Sequence, residues 1–362
     1  MEKKISVLIL CPSPRGTAAT QRLKYEQYLP LLEKAGYTFK ISSFQSKHFW
    51  KILYKSGNIH AKLFWVFIGY VKRVVDILRS PFYDIVFVNI HVTPFGIPLF
   101  ETVLFWFNKN VIYDLDDMVF LSSPNSSWIK NKLKGKRKSI VLMKNAKSVI
   151  VCTPKLEEIA LSLNRYKKVI DISSTFNTDR FVPVKEYKKN EITTIGWTGT
   201  HSTLQFLQLL ENVLQEVSKL RKIKLLVIAN KEFKMNGVDT EYRVWTAENE
   251  VSDLHDMEIG LYPIPKDEWS LGKSSLKALT YMAIAIPAVA TAYGTNFRII
   301  EDERSGMLVN NDEEWIEKLV KLIDDVELRK RIGLNGRKRV EELFSVQANF
   351  PKYLKAFDIK FK

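Results

Sequence analysis

The sequence predicts an α/β protein made of two doubly wound domains, and three observations lead to this prediction. Short apolar runs alternate with longer segments of helical periodicity along most of the chain. At 362 residues, the chain is longer than a single hydrophobic core usually serves. Residues 182–190 are polar, contain a proline and lack periodicity, and the alternation begins again after them. We therefore expect domains at 1–183 and 184–345.

The first half predicts a parallel sheet. Residues 20–35 carry apolar side chains at helical spacing and end near Gly36, so they predict the first helix. Helical patterns also separate the later β-rich runs, an order typical of βαβ units. The predicted strands are residues 5–10, 39–42, 84–90, 111–113, 148–152 and 169–172.

The second half repeats this order. Its predicted strands are residues 192–197, 223–229, 243–246, 258–262, 288–291 and 307–309. Its main predicted helices are residues 203–220, 272–283, 313–324, 326–344 and 346–357. We expect residues 346–362 to pack back toward the N-terminal domain. Ligands of doubly wound sheets bind at the carboxyl ends of the strands, and two such domains are expected to face each other across a cleft.

The positive charge is confined to the first half. Residues 1–183 hold 28 Lys and Arg against 13 Asp and Glu, whereas residues 184–362 hold 27 of each, so the net charge of +15 lies entirely in the first half. This asymmetry predicts a polyanionic partner for that half. No nucleic-acid-binding motif is present, so we expect no nucleic acid partner.

An anionic membrane surface is the partner that this half favours. Residues 47–79 interleave lysine and arginine with Trp, Phe and Tyr, as interfacial helices do. A second basic run spans residues 130–138. The alternatives are that the rings pack on the sheet and that the basic run is a solvated helix face. No apolar segment is long enough to span a bilayer, so we expect a cytoplasmic protein that is peripheral at the inner face of the membrane.

Several classes of protein are excluded by missing motifs. The dinucleotide-binding G-x-G-x-x-G and the phosphate-binding P-loop signature are both absent, which argues against a dehydrogenase or an NTPase. Two cysteines and five histidines make a disulfide scaffold or a structural zinc site improbable. We expect no cofactor and no metal.

A candidate phosphate site lies where a Pro-rich loop leads into a helix, at Gly272, Lys273, Ser274 and Ser275. Unpaired backbone amides and the helix dipole attract a phosphate to such a helix start. Lys273 is predicted in the first turn, and Lys277 one turn later on the same face. The alternative is a capped surface helix whose lysines are solvated.

A second candidate loop follows the strand at residues 192–197. Gly196 and Gly199 allow the backbone to approach a ligand closely, and Thr200 adds a hydroxyl group. Trp197 lies between the two glycines. A plain strand-to-helix turn capped by Ser202 accounts for this pattern nearly as well.

The chain resembles glycosyltransferases of the GT-B architecture, which have two Rossmann-like domains, and is close to the retaining GT4 group. The resemblance is specific in residues 192–345 and loose in residues 1–110. The residues that carry it are 256–263, Trp269, Gly272, Lys273, Leu276, Lys277, 281–283, 287–291, 305–309, Glu314 and Trp315, with 113–117 and 179–183 upstream.

The resemblance implies a nucleotide-sugar donor on the C-terminal domain and an acceptor on the N-terminal one. It adds Trp245 and Thr280 to the donor-site candidates. The sequence departs from the group because Gly272 and Thr280 stand where two glutamates are usual, and Ala285 stands where a glycine is usual. The cationic pair of the first C-domain loop is also not evident, so Lys273 is the natural substitute for it.

The first half supplies the candidate catalytic residues. Asp116 and Asp117 follow a strand at the place where GT4 members have catalytic residues, and His91 ends the preceding strand. Arg15, Gly16 and Thr17 follow the first strand, where the group has its acceptor loop. The aspartates have two alternatives, namely helix capping and the D-x-D metal site of single-domain transferases.

The resemblance therefore implies a glycosyltransferase that moves a sugar from a nucleotide-sugar to a glycan or lipid-linked acceptor. We expect retention of the anomeric configuration and a place in cell-surface polysaccharide synthesis. The alternatives are a sugar-nucleotide epimerase of the same architecture and a degenerate transferase that only binds.

Overall fold

The computed structural model describes residues 4–53, 55, 57–121, 137–187 and 190–359. The chain divides into two compact units. The first comprises Met1–Ser173 with Asn349–Lys362, and the second comprises Ser174–Ala348. Most of the predicted basic run, residues 130–136, lies outside the described residues.

The first unit is built on a six-stranded parallel sheet in the order β2-β1-β3-β4-β5-β6. β1 and β3 are almost entirely apolar because both faces of a doubly wound sheet are covered by helices. The strands are β1 (Ile5–Cys11), β2 (Tyr37–Ser43), β3 (Ile85–Asn89), β4 (Val111–Asp114), β5 (Ser148–Val151) and β6 (Val169–Asp171).

The helices of the first unit include the end of the chain. Tyr353 stacks on Tyr28 with 3.8 Å between ring centroids, and Phe357 lies against Phe87 and Tyr37. The helices are α1 (Ala19–Arg22), α2 (Leu29–Lys34), α3 (Lys47–Leu53), α4 (Ile59–Arg79), α5 (Leu99–Phe107), α6 (Arg137–Asn145), α7 (Pro154–Leu163) and the last helix of the chain (Val346–Phe357), whose residues from Asn349 onward belong to this unit. Within the described residues, no helix combines the length and hydropathy needed to cross a bilayer.

The second unit repeats the architecture with a second parallel sheet, in the order β12-β11-β10-β7-β8-β9. Its core contains apolar side chains of β7, β8, β10, β11 and β12 together with those of the helices that cover them. The strands are β7 (Thr193–Gly199), β8 (Ile223–Ala229), β9 (Thr240–Val244), β10 (Ile259–Tyr262), β11 (Ala288–Thr291) and β12 (Met307–Val309).

The helices of the second unit are α8 (Leu204–Leu207), α9 (Glu211–Leu220), α10 (Glu250–Leu254), α11 (Leu276–Ala283), α12 (Asn296–Ile299), α13 (Asp312–Asp324) and α14 (Val326–Arg339). A π-helical turn, Val340–Phe344, follows α14, and we number the last helix of the chain α15. The predicted linker is held on this unit, since the Val184 N–H donates to the carbonyl of Ile284 (2.9 Å) and the Tyr187 hydroxyl to that of Ala285 (2.6 Å).

Two of the predicted helices are interrupted in ways that bear on the candidate sites. The helix expected at residues 20–35 is broken into α1, a 3-10 turn (Tyr25–Tyr28) and α2, with Lys24 in a non-helical conformation at the break. The helix expected at residues 272–283 begins only at Leu276, because Trp269–Gly272 forms a separate 3-10 turn and Ser275 is left-handed, with φ 58°. Lys273 precedes α11, so the prediction that it lies in the first turn of the helix is wrong.

Candidate functional site

The order of strands locates the candidate ligand site of the second unit. The chain runs outward from β7 through β8 to β9, then returns to the other side of β7 and continues through β10, β11 and β12. The topological switch point therefore lies between β7 and β10. Open α/β sheets bind ligands in the crevice outside the carboxyl ends of the strands at this point.

The Lys277 side chain lies at this switch point. Its ammonium is 5.3 Å from the ring centroid of Trp197 on β7 and 5.4 Å from that of Tyr262 on β10. Among the described residues, these two rings are its only partners, and no carboxylate pairs with it. Burial, with a smaller contribution from the charge of Lys273, lowers the pKa of Lys277 to about 7. An unneutralised cation in this position attracts an anionic ligand.

Gly199 makes room for Lys277. A Cβ at residue 199 would lie 2.4 Å from the Trp197 ring and 2.8 Å from Cε of Lys277, closer than real contacts allow. The glycine that ends β7 is thus required by the packing of Lys277 over Trp197. This requirement joins the two candidate motifs of the second unit into one site.

Lys277 itself lies in the first turn of α11. No side chain caps this helix, so its first backbone amides are left available to an anion. The left-handed Ser275 is fixed by its hydroxyl, which donates to Oδ1 of Asn296 (2.6 Å). Lys273, in the loop before α11, is held over the Trp269 ring at 4.9 Å. Both lysines and the free amides thus concentrate positive potential at one place.

Tyr281 is a site residue that our sequence analysis missed. Its hydroxyl accepts a hydrogen bond from the Thr198 N–H (3.0 Å) and donates one to the carbonyl of Leu261 (3.2 Å). Its ring fills the space at Gly260, where a Cβ would lie 2.2 Å from the ring. Tyr281 thereby holds α11 against the ends of β7 and β10. The sequence held two signals, a glycine within a buried strand and the place of Tyr281 among the residues that carry the resemblance, and neither identifies these contacts.

The remaining donor-site candidates have mixed surroundings. Gly196 is inside β7, where a Cβ would lie 2.1 Å from the sulfur of Met257, so the structure gives it a packing role. The Thr280 hydroxyl donates to the carbonyl of Leu276 (2.8 Å), and the Ser274 hydroxyl accepts from Ser174 (2.8 Å). Gly272 is buried at the end of the 3-10 turn.

Two candidates lie at the carboxyl ends of strands. Thr200, directly after β7, forms a reciprocal capping box with Thr203. Trp245 directly follows β9, and its backbone N–H donates to the carbonyl of Ala229 (3.0 Å). Both are half-buried or exposed, so ligand atoms can reach this edge of the sheet.

In the first unit, the switch point lies between β1 and β3. Arg15, Gly16 and Thr17 follow β1 and His91 follows β3, so these candidates flank the same crevice. Gly16 has φ 79°, and its N–H donates to Glu26 (2.9 Å), while the Thr17 hydroxyl donates to the carbonyl of Pro14 (2.7 Å). The Arg15 side chain is exposed.

Asp114 has a structural role that separates it from the other aspartates. It is fully buried and forms an ion pair with Lys24 (2.7 Å), and its second oxygen accepts from Asn89 (2.9 Å). Burial opposes the charge of Lys24, but Asp114 outweighs that penalty and the pKa of Lys24 is raised. The break between α1 and α2 places Lys24 for this pair.

Asp116 and Asp117 remain half-buried after the end of β4. Asp117 accepts from the Met118 N–H (2.8 Å), and the backbone carbonyl of Asp116 accepts from the thiol of Cys152 (3.2 Å). Within the ranges that the structure covers, no group of three or more His, Cys, Asp or Glu residues is placed to hold a metal ion.

His91 is neutral at physiological pH. Burial, aided by the charges of Lys138 and Arg73, lowers the pKa of its imidazole to about 3. Its Nδ1 is buried and has no hydrogen-bond partner among the described residues. The preceding Ile90 has φ 65°, which is rare for a β-branched residue. This conformation is held by two hydrogen bonds, because the Ile90 N–H donates to the carbonyl of Asp114 and the Tyr113 hydroxyl donates to the carbonyl of Ile90. Such strain is typical of functional sites.

Besides Lys24, the first unit buries two further cations that the sequence did not predict. Lys138, which we had included in the basic run, is buried, and its ammonium donates to the carbonyl (2.9 Å) and hydroxyl (2.6 Å) of Thr93. The alternative of a solvated helix face is therefore wrong for this residue. Arg73, in the middle of α4, is also fully buried. Sequence periodicity offered no sign that either charge faces inward.

The chain is similar to known glycosyltransferases. Residues 192–325 match the family described as glycosyl transferases group 1. The capsular polysaccharide biosynthesis glycosyltransferase CapM of Staphylococcus aureus is 31% identical over 162 residues, which cover 41% of this chain and 40% of that protein. The chain thus matches about two fifths of the length of this curated relative.

Solved structures share the fold over nearly the whole chain. Sucrose-phosphate synthase from Thermosynechococcus elongatus aligns with a TM-score of 0.69 at 16% identity and covers 98% of each chain. The HepE protein of Anabaena, solved with UDP and glucose, aligns with a TM-score of 0.66 at 13% identity and covers 97% of this chain and 98% of that one. These likenesses confirm the predicted fold class, the GT-B architecture of two doubly wound domains.

Proposed function

We propose, from the premise that residues 192–325 match the group 1 glycosyltransferase family on a GT-B fold, that this chain transfers a sugar from a nucleotide-sugar to a glycan or lipid-linked acceptor. The observation that carries the proposal is the unneutralised Lys277 ammonium at the switch point of the second unit. The donor diphosphate is the anion that this cation would hold. Lys277 and Lys273 both lie within the matched residues.

The chemistry needs a stabilised leaving group. In the transfer, the bond between the anomeric carbon and the diphosphate oxygen breaks, and its electron pair leaves with the nucleoside diphosphate. Lys277, Lys273 and the free amides of α11 would stabilise that developing charge, because fixed positive groups act most strongly where water is excluded. Thr200 and Trp245, at the ends of β7 and β9, are our candidates for contacts with the rest of the donor.

The acceptor would bind at the carboxyl edge of the first sheet. Asp116 or Asp117 would orient the acceptor hydroxyl, and the neutral His91 can take part in hydrogen bonding without adding charge. Arg15, Gly16 and Thr17 would contact an anionic part of the acceptor. The proposal includes retention of configuration at the anomeric carbon and a role in surface polysaccharide synthesis. It also includes a peripheral position at an anionic membrane, and the positive charge excess of residues 1–183 supports this last part.

A thermal-shift panel of UDP, GDP, ADP and CMP with their common sugar derivatives tests the donor site. A ligand at 100 times its dissociation constant stabilises a protein by about 2.7 kcal/mol. We expect one nucleoside diphosphate to stabilise the wild type and Lys219→Ala, a surface control that removes only the exposed pair with Glu216. It should not stabilise Lys277→Met, and it should stabilise Lys273→Ala less. Equal stabilisation of all four proteins would place the donor elsewhere.

A further inference from the structure

The long helix α4 of the first unit has its polar and apolar faces inverted. Its inward face presents Gly69, Arg73 and Ile77, and the guanidinium of Arg73 is fully buried. Its outward face is an apolar stripe at helical spacing, in which Phe67 is 64% exposed. A helix of a water-surrounded protein shows the opposite arrangement, so the outward face of α4 is suited to an apolar environment.

The apolar exposure continues onto α5 and the segments beside it. Tyr70 of α4 joins the two helices, because its ring lies 5.4 Å from that of Phe100 and its hydroxyl donates to the carbonyl of Phe95 (2.9 Å). Trp106 and Ile97 are each 74% exposed and Phe82 is 83% exposed. We define the α4–α5 surface as Leu63, Phe64, Phe67, Ile68, Val71, Val74, Val75, Leu78, Phe82, Phe95, Ile97, Leu99, Trp106 and Phe107.

The charges around this surface have one sign. Lys51, Lys55, Lys72, Arg79 and Lys109 are exposed. The carboxylates of the same stretch are turned to the interior: Asp76 pairs with Arg73 (2.8 Å), and Glu101 is buried near Lys138 (3.8 Å). Asp84 accepts from the hydroxyl and N–H of Ser6 (both 2.7 Å). The described part of residues 47–109 thus exposes cations around an apolar face, with no exposed carboxylate.

We propose that the α4–α5 surface inserts into the boundary between the headgroups and acyl chains of an anionic lipid bilayer. Apolar side chains ringed by lysine and arginine are what an interfacial helix needs, since the side chains enter the acyl region while the cations meet lipid phosphates. A second copy of this chain would bring like charges together at the rim, which disfavours a homodimer through this face. Attachment is therefore by insertion, beyond the adsorption that net charge alone provides.

Arg73 connects this surface to the proposed acceptor edge. Its guanidinium donates to the carbonyls of Cys11 (2.7 Å), Ser42 (3.0 Å) and Val92 (2.7 Å). These carbonyls lie at or just past the carboxyl ends of β1, β2 and β3. The bilayer would consequently lie beside the edge where His91 and Arg15 flank the crevice. This placement rests on the proposed function, because it gives the acceptor edge direct access to lipid-linked molecules.

Vesicle co-sedimentation tests the insertion. The probes are vesicles of equal parts phosphatidylglycerol and phosphatidylcholine, at low salt and at about 1 M NaCl, where the screening length is about 3 Å. We expect the wild type to bind at low salt and to keep most of its binding at high salt. Phe67→Ser/Trp106→Ser should bind at least about tenfold more weakly, because two large apolar side chains are removed from the acyl region. Leu209→Ser/Phe297→Ser, which changes two exposed apolar residues of the second unit, should bind like the wild type.

Three outcomes would overturn the insertion. Equal binding by the two double variants would show that another face meets the lipid. Complete loss of binding at about 1 M NaCl would show adsorption alone. A wild-type dimer in solution that Phe67→Ser/Trp106→Ser converts to a monomer would show that a second copy covers the surface. Nucleoside diphosphate binding, measured on the same proteins without vesicles, tests the proposed function separately, since Phe67 and Trp106 lie outside the donor site.

Discussion

At the scale of single residues, Lys277 is the side chain on which the account depends most. Its charged form is disfavoured by burial and by Lys273, so its pKa in the folded protein, about 7, is below the ordinary value of 10.5. The unfolded chain binds this proton up to about pH 10.5. The charge of Lys277 therefore destabilises the fold fully below pH 7, and the penalty fades as the pH rises toward 10.5.

We accordingly predict that Lys277→Met is more stable than the wild type by about 1–3 kcal/mol at pH 6, because it removes a poorly compensated charge. The difference should shrink toward zero as the pH approaches 10. Chemical denaturation of both proteins across this pH range measures it. A variant that is less stable than the wild type at pH 6 would mean that Lys277 is a structural cation and would count against the anion site.

Donor binding should also depend on the protonation of Lys277. Above pH 7 the empty site must take up a proton to present the ammonium to a diphosphate, so affinity should fall by up to about tenfold per pH unit. Titration calorimetry in buffers of different ionisation enthalpy would report the proton uptake. Lys277→Arg keeps its charge at every pH in this range and should show a flat profile. A wild-type profile as flat as that of the arginine variant would contradict the assignment.

We predict that substitutions of Asp114 and Asp117 differ in their effect on stability. Asp114→Asn leaves Lys24 as an uncompensated buried charge and should cost about 3–5 kcal/mol of unfolding free energy. Asp117→Asn, at a half-buried position, should cost much less while lowering turnover. Urea denaturation together with activity assays separates the two effects. Equal destabilisation by both variants would remove the distinction between a structural and a functional aspartate.

At the scale of elements, the end of β7 and the start of α11 form the site only together. Gly199→Ala would place a methyl group against Trp197 and Cε of Lys277, so the ammonium must move. We predict loss of nucleoside diphosphate binding with a stability cost of about 1–3 kcal/mol. Calorimetric titration and thermal unfolding measure the two effects.

Gly36→Ala is the matched control for this substitution. Gly36 has φ 94° with open space around it, so an added methyl group strains the backbone without touching the site. This variant should lose stability but keep its affinity for the nucleotide. If it lost the nucleotide as well, the effect of Gly199→Ala would reflect general destabilisation.

The helix α4 shows what periodicity can and cannot predict. The alternation of basic and aromatic residues in 47–79 predicted an interfacial helix, but the pattern does not tell which face turns inward. The structure buries Arg73, whose guanidinium donates hydrogen bonds to three backbone carbonyls. The apolar side chains on the opposite face of α4 are exposed. The aromatic residues of this segment do not share one environment, since Phe49 is buried in the protein and Phe67 is exposed.

At the scale of the whole molecule, the fold class and the approximate positions of the strands could be predicted, because buried parallel strands are continuous apolar runs with helical segments between them. The start of α11 could not, because the left-handed Ser275 is stabilised by Asn296, which is 21 residues away. The pairing of Asp114 with Lys24 spans 90 residues and breaks a predicted helix. Both features depend on contacts that only the folded chain brings together.

Turnover of a nucleotide-sugar panel, with a membrane lipid extract as the source of acceptor, would show whether this chain transfers a sugar. We predict that one donor releases its nucleoside diphosphate and that its sugar appears on an extracted molecule. Lys277→Met, folded by circular dichroism, should lose this activity, and Lys219→Ala should keep it. Conversion of the nucleotide-sugar to its epimer without acceptor, or turnover by Lys277→Met at the wild-type rate, would contradict the account.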